Sequence, residues 1–169
     1  IADKVVRTTS GKSLTSLKGY TAAHGKVYLE DEAIDECVAL VFRAPKSYTG
    51  ENTVEISCHG GVLVTKQVLR AVLQSGARPA EAGEFTKRAF LNGKLDLSEA
   101  EAVMSLISAQ GQQGMKAAFS TLDGALSRKI DSLCSILLSA SANMAAWVDY
   151  PDDEIPELSD DSLKNSIVT

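Results

Sequence analysis

The chain has 169 residues, of which 44% are hydrophobic and 23% are charged, and its formal net charge is −5. This composition is typical of a folded chain of one domain, or of one domain with part of a second, and it excludes an intrinsically disordered protein. The sequence has no apolar run of about 18 residues, which a membrane span would need, and its first residues lack the apolar core and cleavage site of a secretory signal.

The first half of the chain predicts strands and one well-defined helix. Three short segments, rich in β-branched residues and bounded by turn residues, are predicted strands: GKVYLED, CVALVF and NTVEISC. VLVTKQVLRAVLQSG then changes to helical spacing, and Gly76 follows where such a helix ends. ARPAEAG is predicted to be a further extended segment. Residues 1–6 resemble the tail of a helix, so we expect the natural N-terminus to lie upstream.

The segment VEISCHGG predicts a strand with two different faces. Alternation assigns its residues to an apolar face of Val54, Ile56 and Cys58 and a polar face of Glu55, Ser57 and His59. The apolar face is predicted to pack in the core. The polar face ends at Gly60-Gly61, where the backbone can approach a ligand closely because glycine has no side chain. The polar face is then either a solvated strand surface or a ligand shelf. Because Cys58 and His59 lie on opposite faces, a Cys–His nucleophilic pair is not expected.

The segment GEFTKRAFLNGKLDL predicts a short helix from Glu84 to Leu91 that ends at Asn92-Gly93. Lys94 is presented just outside this turn. One interpretation is a helix–turn–helix corner with a solvated lysine. The other is a site for a carboxylate-bearing ligand, in which Lys87 and Arg88 also take part.

Two Gly-Lys sequences in the chain are not nucleotide-binding loops. A P-loop needs a glycine five residues before its Gly-Lys glycine, and Ser or Thr after the lysine. Ser10-Gly11-Lys12-Ser13 has Val6 in the glycine position, and Asn92-Gly93-Lys94 is followed by Leu95. We therefore expect neither segment to bind GTP or ATP.

The second half predicts long helices. Asp96 and Glu99 fit a capping box, which predicts a helix over residues 97–109. The Gly111–Gly114 stretch interrupts the helical pattern.

Beyond that interruption, apolar residues recur at steps of three or four from Phe119 to Trp147. This spacing predicts one helix of about thirty residues that runs through Gly124 and ends before Tyr150-Pro151. So long a seam needs partner helices to cover it. Either the chain self-associates through the seam, or the bundle is incomplete because the chain is cut from a longer protein, and we favour the second interpretation.

Charge and cysteine content restrict the partners further. Residues 1–96 carry 13 Lys and Arg against 11 Asp and Glu, whereas residues 97–169 carry 4 against 11. Because nucleic-acid affinity depends on Lys and Arg that neutralise phosphates, the acidic half is a poor nucleic-acid surface. The cysteines are odd in number, far apart and without a CxxC pair, which predicts reduced thiols, a cytoplasmic location and no metal site: Cys37, Cys58 and Cys134.

Three segments closely resemble the family of tRNA modification GTPases called MnmE or TrmE: APKSYTGENTVEISCHGG (44–61), GARPAEAGEFTKRAFLNGKLDLSEAEAVMSLI (76–107) and AAWVDYPDDEI (145–155). Members of the family that the chain resembles have three domains. They have an N-terminal tetrahydrofolate-binding domain, whose fold resembles folate-dependent aminomethyltransferases, and a helical domain into which a Ras-like GTPase domain is inserted. The resemblance therefore implies an α+β class, with a small mixed sheet and helices followed by long helices of an incomplete bundle.

The resemblance also implies two domains. Residues 1–95 resemble the tetrahydrofolate-binding and dimerisation domain without its first segment, and residues 96–169 resemble the first helices of the helical domain. In the family's arrangement the GTPase domain lies beyond Thr169, so GTP hydrolysis is not expected of these residues.

The function implied for the longer protein is modification of tRNA at carbon 5 of the wobble uridine with an aminomethyl or carboxymethylaminomethyl group. The implied partners are a second copy of the chain, the flavin-dependent protein MnmG and tRNA, without a membrane. The implied cofactor of this part is 5-formyltetrahydrofolate or a related tetrahydrofolate that donates the one-carbon unit. GTP, Mg²⁺ and K⁺ would serve the full-length family.

The family's folate contacts match Glu55 and Lys94 of this sequence, as binding groups and not as catalysts. A carboxylate such as Glu55 can accept the N3–H and the 2-amino group of a pterin as a bidentate pair. Lys94 would pair with a ligand carboxylate or lie along the ring system. A third contact, an arginine of an early strand, would precede Ile1, and Arg7 does not replace it. We assign no catalytic, nucleotide-binding or metal-binding residue.

Two other functions remain open at this point. One is a free-standing folate-dependent one-carbon transferase, which would need a nucleophile or base near Glu55. The other is a helical scaffold or adaptor whose apolar seam, from Phe119 to Trp147, is itself the functional surface.

Overall fold

The structure, a computed structural model, describes residues 1–149, apart from the side chain of Trp147. The chain divides into two compact units, Ile1–Leu95 and a second that begins at Asp96. Two features predicted from the sequence lie outside the described residues: the helix end before Pro151, and the part of AAWVDYPDDEI from Tyr150 onward.

The first unit contains four strands and three α-helices. In chain order they are α1 Ala2–Val5, β1 Val6–Thr8, a 3₁₀ turn at Leu14–Ser16, β2 Thr21–Leu29, β3 Glu32–Phe42, β4 Thr53–Cys58, α2 Val62–Gln74 and α3 Glu84–Leu91. The three predicted strands and the helices predicted after Gly61 and Gly83 are confirmed. The extended segment predicted at ARPAEAG is wrong, because no strand pairs with it and Gly83, at φ +74°, turns the chain directly into α3.

The sheet has the strand order β1-β2-β3-β4, and every neighbouring pair is antiparallel. The predicted α+β class is confirmed, but the sheet is antiparallel throughout and not mixed. For β2 and β3 the physical reason is the length of their connection. Only Glu30 and Asp31 join β2 to β3, and parallel neighbours need a crossover of about a dozen residues or more.

The core of the first unit lies on one face of this sheet, where α2 packs against β2, β3 and β4. Its buried members are Val5, Val6, Leu14, Val27, Cys37, Ala39, Val41, Val68 and Ala71. The predicted apolar face of β4 is confirmed, since Val54, Ile56 and Cys58 pack against this core. Glu55 and Ser57 are exposed on the opposite face. The sheet therefore has one covered face and one face that carries exposed side chains.

The second unit begins with a well-capped helix. Its described helices are α4 Leu97–Ser108, α5 Gln112–Leu122 and α6 Ala125–Asp149. The predicted capping box is confirmed, because the Asp96 carboxylate accepts from the backbone N–H of Glu99 at 2.9 Å and the Glu99 carboxylate accepts from that of Asp96 at 2.8 Å. The Ser127 hydroxyl also donates to Asp96, which ties the start of α6 to the start of α4.

The single helix predicted through Gly124 is wrong, since α5 ends at Leu122 and α6 begins at Ala125. Gly124 has φ +77°, in the left-handed region that a right-handed helix cannot continue through. A methyl group on Gly124 would lie 3.2 Å from Nη1 of Arg128, so the arginine side chain would have to shift slightly to accommodate it.

The apolar seam itself is present on the two shorter helices. Six of its described members are exposed: Phe119, Leu126, Ile130, Leu133, Leu137 and Met144. Two others, Leu122 and Ala140, are half-buried. The helices α4, α5 and α6 therefore leave this surface uncovered. Among residues 1–149, no helix is both long enough and apolar enough to cross a lipid bilayer.

The break at Gly124 predicts opposite effects for two glycine substitutions in the second unit. Gly124→Ala is expected to destabilise the chain by about 1–2 kcal/mol, because alanine is strained at positive φ. Gly114→Ala is expected to stabilise it by about 0.5–1 kcal/mol, since Gly114 lies inside α5 and its methyl group would meet only Ala109, at 4.0 Å. Urea unfolding followed by far-ultraviolet circular dichroism measures both changes. Equal effects of the two substitutions would contradict a helix break at Gly124.

Candidate ligand-binding site

The loop between β3 and β4 is held in one shape at its two ends. At its start, the Arg43 guanidinium donates to the carbonyl oxygens of Leu14 and Leu17, at 2.8 and 3.1 Å. The backbone N–H of Ala44 donates to the side-chain oxygen of Asn52, at 3.1 Å, which closes the loop on itself. We call residues 43–52 the β3–β4 loop. Because β4 starts one residue later, this closure fixes where the polar face of β4 begins.

Helix α3 and the turn that follows it dock on this loop. Arg88 makes a bidentate pair with Glu51, with Nε–Oε2 at 2.7 Å and Nη2–Oε1 at 3.0 Å. The side-chain amide of Asn92 donates to the carbonyl oxygen of Thr49 at 2.8 Å, and Thr49 is buried. The two contacts hold neighbouring loop residues, so the loop and the α3 turn form one continuous wall.

Lys94 lies at the end of this wall. Its backbone N–H donates to the carbonyl oxygen of Ala89 at 2.8 Å across the turn, and Gly93 takes the positive φ that the turn requires, +66°. The aliphatic part of the Lys94 side chain passes over the backbone of Gly50 in the β3–β4 loop. Within the described chain, no carboxylate lies within 4.0 Å of its ammonium group. The charge of Lys94 is therefore available to a ligand.

Glu55 lies in the middle of β4, opposite Leu40 of β3, and its side chain is exposed on the outer face of the sheet. Its carboxylate makes no hydrogen bond or ion pair with any residue from 1 to 149. The structure thus places Glu55 and Lys94 on two elements joined through the β3–β4 loop, without a hydrogen bond between them.

The side chains of Glu55 and Lys94 are both exposed on the surface of the first unit. A cavity of about 400 Å³ does lie beside β4, but it is lined by Val54 and Ile56 of the inner face. Neither Glu55 nor Lys94 contributes to its lining. Strand alternation explains this separation, because a residue next to Val54 and Ile56 must point away from the side that they face.

Glu84 organises the charges at the start of α3. Its carboxylate accepts two hydrogen bonds from Arg78, at 2.7 and 2.8 Å, and one from the backbone N–H of Glu81, at 2.9 Å. These bonds, with Arg78 first, lower the pKa of Glu84 to about 2. Arg88 also reaches Glu84, at 3.4 Å. The proposed ligand role of Arg88 is therefore not supported, because its guanidinium is held by Glu51 and Glu84.

His59, at the end of the polar face, is paired with Asp35 of β3. The backbone N–H and Nδ1 of His59 lie 2.7 and 2.8 Å from the two carboxylate oxygens of Asp35. The backbone hydrogen bond is the main reason why the pKa of Asp35 is lowered. Cys58 instead packs against the core, and His59 lies just beyond Cys58, where β4 ends. Among residues 1–149, no group of His, Cys, Asp or Glu side chains is arranged to hold a metal ion.

The contacts that shape the wall were not predicted from the sequence. Arg88 and Glu51 are 37 residues apart, and no local spacing connects them. The contact between Asn92 and Thr49 could not be predicted either, since Thr49 takes part through its backbone carbonyl and not through its side chain. One signal was present: glycine in Tyr-Thr-Gly-Glu is typical of a turn with positive φ, and Gly50 has φ +76°.

Comparison with known proteins covers almost the whole chain. The profile of the family described as GTP-binding protein TrmE N-terminus matches residues 1–94, and that of the MnmE helical domain matches residues 97–169. The chain is similar to proteins named tRNA modification GTPase MnmE. It is 42% identical over 169 residues to the one from Caldicellulosiruptor saccharolyticus, which covers 100% of the chain and 37% of that relative.

Two further relatives of the same name agree. The protein of Akkermansia muciniphila is 52% identical over 135 residues, which cover 79% of the chain and 30% of the relative. The protein of Bacillus subtilis is 42% identical over 161 residues, which cover 94% of the chain and 35% of the relative. The chain therefore spans about a third of the length of these curated relatives.

The low pKa of Glu84 predicts a pH-dependent contribution to stability. Its stabilising effect should be fully present above the usual value of 4.5 and should be lost as the pH falls toward about 2. Glu84→Gln should therefore lower the melting temperature at pH 6, and its difference from the unsubstituted chain should shrink between pH 5 and pH 3. The control is Glu81→Gln, since the Glu81 carboxylate makes no hydrogen bond in the described chain. A Glu84→Gln difference that stays constant over this pH range would contradict the assignment.

Proposed function

This chain belongs to the family of tRNA modification GTPases MnmE, whose N-terminal and helical domains it carries, and from that premise we propose that residues 1–95 bind a tetrahydrofolate. The proposed ligand is 5-formyltetrahydrofolate or a related one-carbon form. The bound folate would supply the one-carbon unit, and the side chains of this chain would hold it in place.

One observation carries this proposal: a carboxylate and an ammonium group, both without a charged partner in the described chain, lie on elements joined by the β3–β4 loop. Unpaired charges of opposite sign suit a ligand that has hydrogen-bond donors at one end and carboxylates at the other. A folate has this polarity, because its pterin presents N3–H beside a 2-amino group and its glutamate tail is anionic.

The proposed roles follow from donor and acceptor chemistry. Glu55 would accept both pterin donors as a bidentate pair, a geometry that a single carboxylate provides. Lys94 would donate to the glutamate tail or lie along the ring system. Both act as binding groups. Glu55 and Lys94 are exposed in this chain, so part of a ligand held by them would remain exposed to solvent or to a second protein surface.

For the longer protein we propose the modification of carbon 5 of the wobble uridine in tRNA. Residues 1–95 would mediate homodimerisation, and MnmG would be the flavin-dependent partner. GTP, Mg²⁺ and K⁺ would serve a GTPase domain. We also propose a cytoplasmic location, which is supported by three cysteines that are free in the described structure.

A second candidate function is favoured by the exposed apolar residues of α5 and α6. Exposed apolar residues that recur along a helix are typical of a surface that binds another helix, so the helical unit could itself act as a scaffold or adaptor. A free-standing one-carbon transferase has less support. In the described chain the histidine nearest to Glu55 in sequence, His59, is hydrogen-bonded to Asp35.

Calorimetric titration with 5-formyltetrahydrofolate tests the folate proposal. Glu55→Ala should weaken binding by about 10- to 100-fold, because it removes a bidentate charge-assisted pair, and Lys94→Ala should weaken it by about 10-fold. The matched controls are Glu32→Ala and Lys66→Ala, which remove exposed charges elsewhere in the same unit and should leave the affinity unchanged.

Equal affinity of the Glu55 and Lys94 variants and the unsubstituted chain would exclude the site. The absence of binding, both to this chain and to a longer natural protein that contains it, would exclude the folate assignment as a whole.

Light scattering distinguishes the proposed dimerisation unit from the helical scaffold. If residues 1–95 mediate the contact, a chain without them should be monomeric at concentrations where the 169-residue chain is a dimer. The reverse result, a dimer that persists without residues 1–95 and dissociates on Leu133→Glu, would support the scaffold, since Leu133 is exposed on α6.

A further inference from the structure

We propose that Gly50 is a positioning residue for Lys94: its bare backbone is the surface along which the lysine side chain lies, and it determines where the ammonium group meets an anionic ligand. The proposal rests on the proposed function of Lys94 as a folate-binding group. Its own content is a requirement for glycine at a position that the family resemblance did not assign to the site.

A side chain at Gly50 would crowd the side chain of Lys94. A methyl group there would lie 3.2 Å from Cγ and 3.4 Å from Cδ of Lys94, and 3.4 Å from Cβ of Asn92. A separation of 3.2 Å is closer than normal carbon–carbon contact, so the lysine would have to move. The φ of +76° at Gly50 disfavours other residues independently of this contact.

This combination is rare in the described chain. Seven of its glycines have a positive φ, and a methyl group on five of them would meet no atom within 4 Å: Gly11, Gly61, Gly76, Gly83 and Gly93. Gly50 and Gly124 are the other two. Among the positive-φ glycines of the first unit, therefore, Gly50 is the one at which an added methyl group would contact another side chain.

The two partners are held at fixed positions by separate contacts. On one side, Gly50 lies between Thr49, which accepts from Asn92, and Glu51, which pairs with Arg88. On the other side, the backbone N–H of Lys94 is bonded to Ala89. Neither backbone can shift easily to relieve a clash. An added methyl group would therefore displace the flexible side chain of Lys94 and not the loop.

The functional consequence concerns preorganisation. A free lysine side chain has several rotatable bonds and loses much of this freedom when it binds a ligand. Contact of Cγ and Cδ with the Gly50 backbone restrains the inner bonds before binding and leaves the ammonium end free. Loss of that restraint, or a new direction of the side chain, should weaken binding of an anionic ligand although the charge of Lys94 is unchanged.

The test is a double-mutant cycle on the full chain, with 5-formyltetrahydrofolate as the probe in calorimetry. Gly50→Ala is expected to raise the dissociation constant by about 3- to 10-fold, and by no more than Lys94→Ala does, since it displaces the lysine without removing its charge. In the Lys94→Ala background, Gly50→Ala should cause no further loss. Gly11→Ala is the matched control, because Gly11 has nearly the same φ, +70°, but open space around it, and it should bind like the unsubstituted chain.

Three results would overturn the proposal or its premise, and they are distinct. An affinity of Gly50→Ala within twofold of that of Gly11→Ala overturns the positioning role. A loss of equal size in the Lys94→Ala background also overturns it, since the damage would not act through the lysine. An unsubstituted chain that binds no folate, or whose affinity is unchanged by Lys94→Ala, defeats the proposed function itself. If Gly50→Ala fails to fold, Gly50→Asn serves in its place, because asparagine tolerates positive φ.

Discussion

The bidentate pair between Arg88 and Glu51 joins two parts of the chain that are 37 residues apart, and the arrangement of the candidate site depends on it. Both side chains are about half exposed, at 50% and 40%, so the pair adds little to the stability of the fold. Its importance is geometric. A guanidinium and a carboxylate joined by two parallel bonds fix direction as well as distance. The pair therefore sets the orientation of α3 against the β3–β4 loop, and with it the direction in which the chain leaves α3 toward Lys94.

The position of Glu55 has a different origin, because it follows from the core. Val54 and Ile56 are drawn to the covered face of the sheet by burial, and the period of a strand then requires Glu55 to be on the other face. A slip of one residue in the β3–β4 register would reverse all of these directions and bury a carboxylate without a partner. Apolar packing of Val54 and Ile56 on one side of β4 thus keeps the Glu55 carboxylate exposed on the other side, although that carboxylate makes no contact of its own.

The sequence predicted the features that depend on neighbouring residues. The strands, the capping box at Asp96 and the two faces of β4 all follow from local period or from short-range hydrogen bonds, and all are confirmed. The failures have long-range or conformational causes. The apolar seam keeps its spacing across Gly124, so periodicity does not reveal that this glycine takes a positive φ. The Arg88–Glu51 pair depends on a contact between distant segments, which no window of sequence contains.

The two proposed binding groups illustrate why one of them needs a supporting surface and the other does not. Glu55 has a short side chain on a strand that is paired along its length with β3, so its carboxylate has a small range of positions. Lys94 has a long side chain at the end of a turn, and its charge would range widely without a restraint. The Gly50 backbone provides that restraint at Cγ and Cδ, and the contacts of Arg88 and Asn92 hold Gly50 in place. A site built in this way loses its lysine geometry whenever the β3–β4 loop separates from α3, even though no ligand-binding residue has changed.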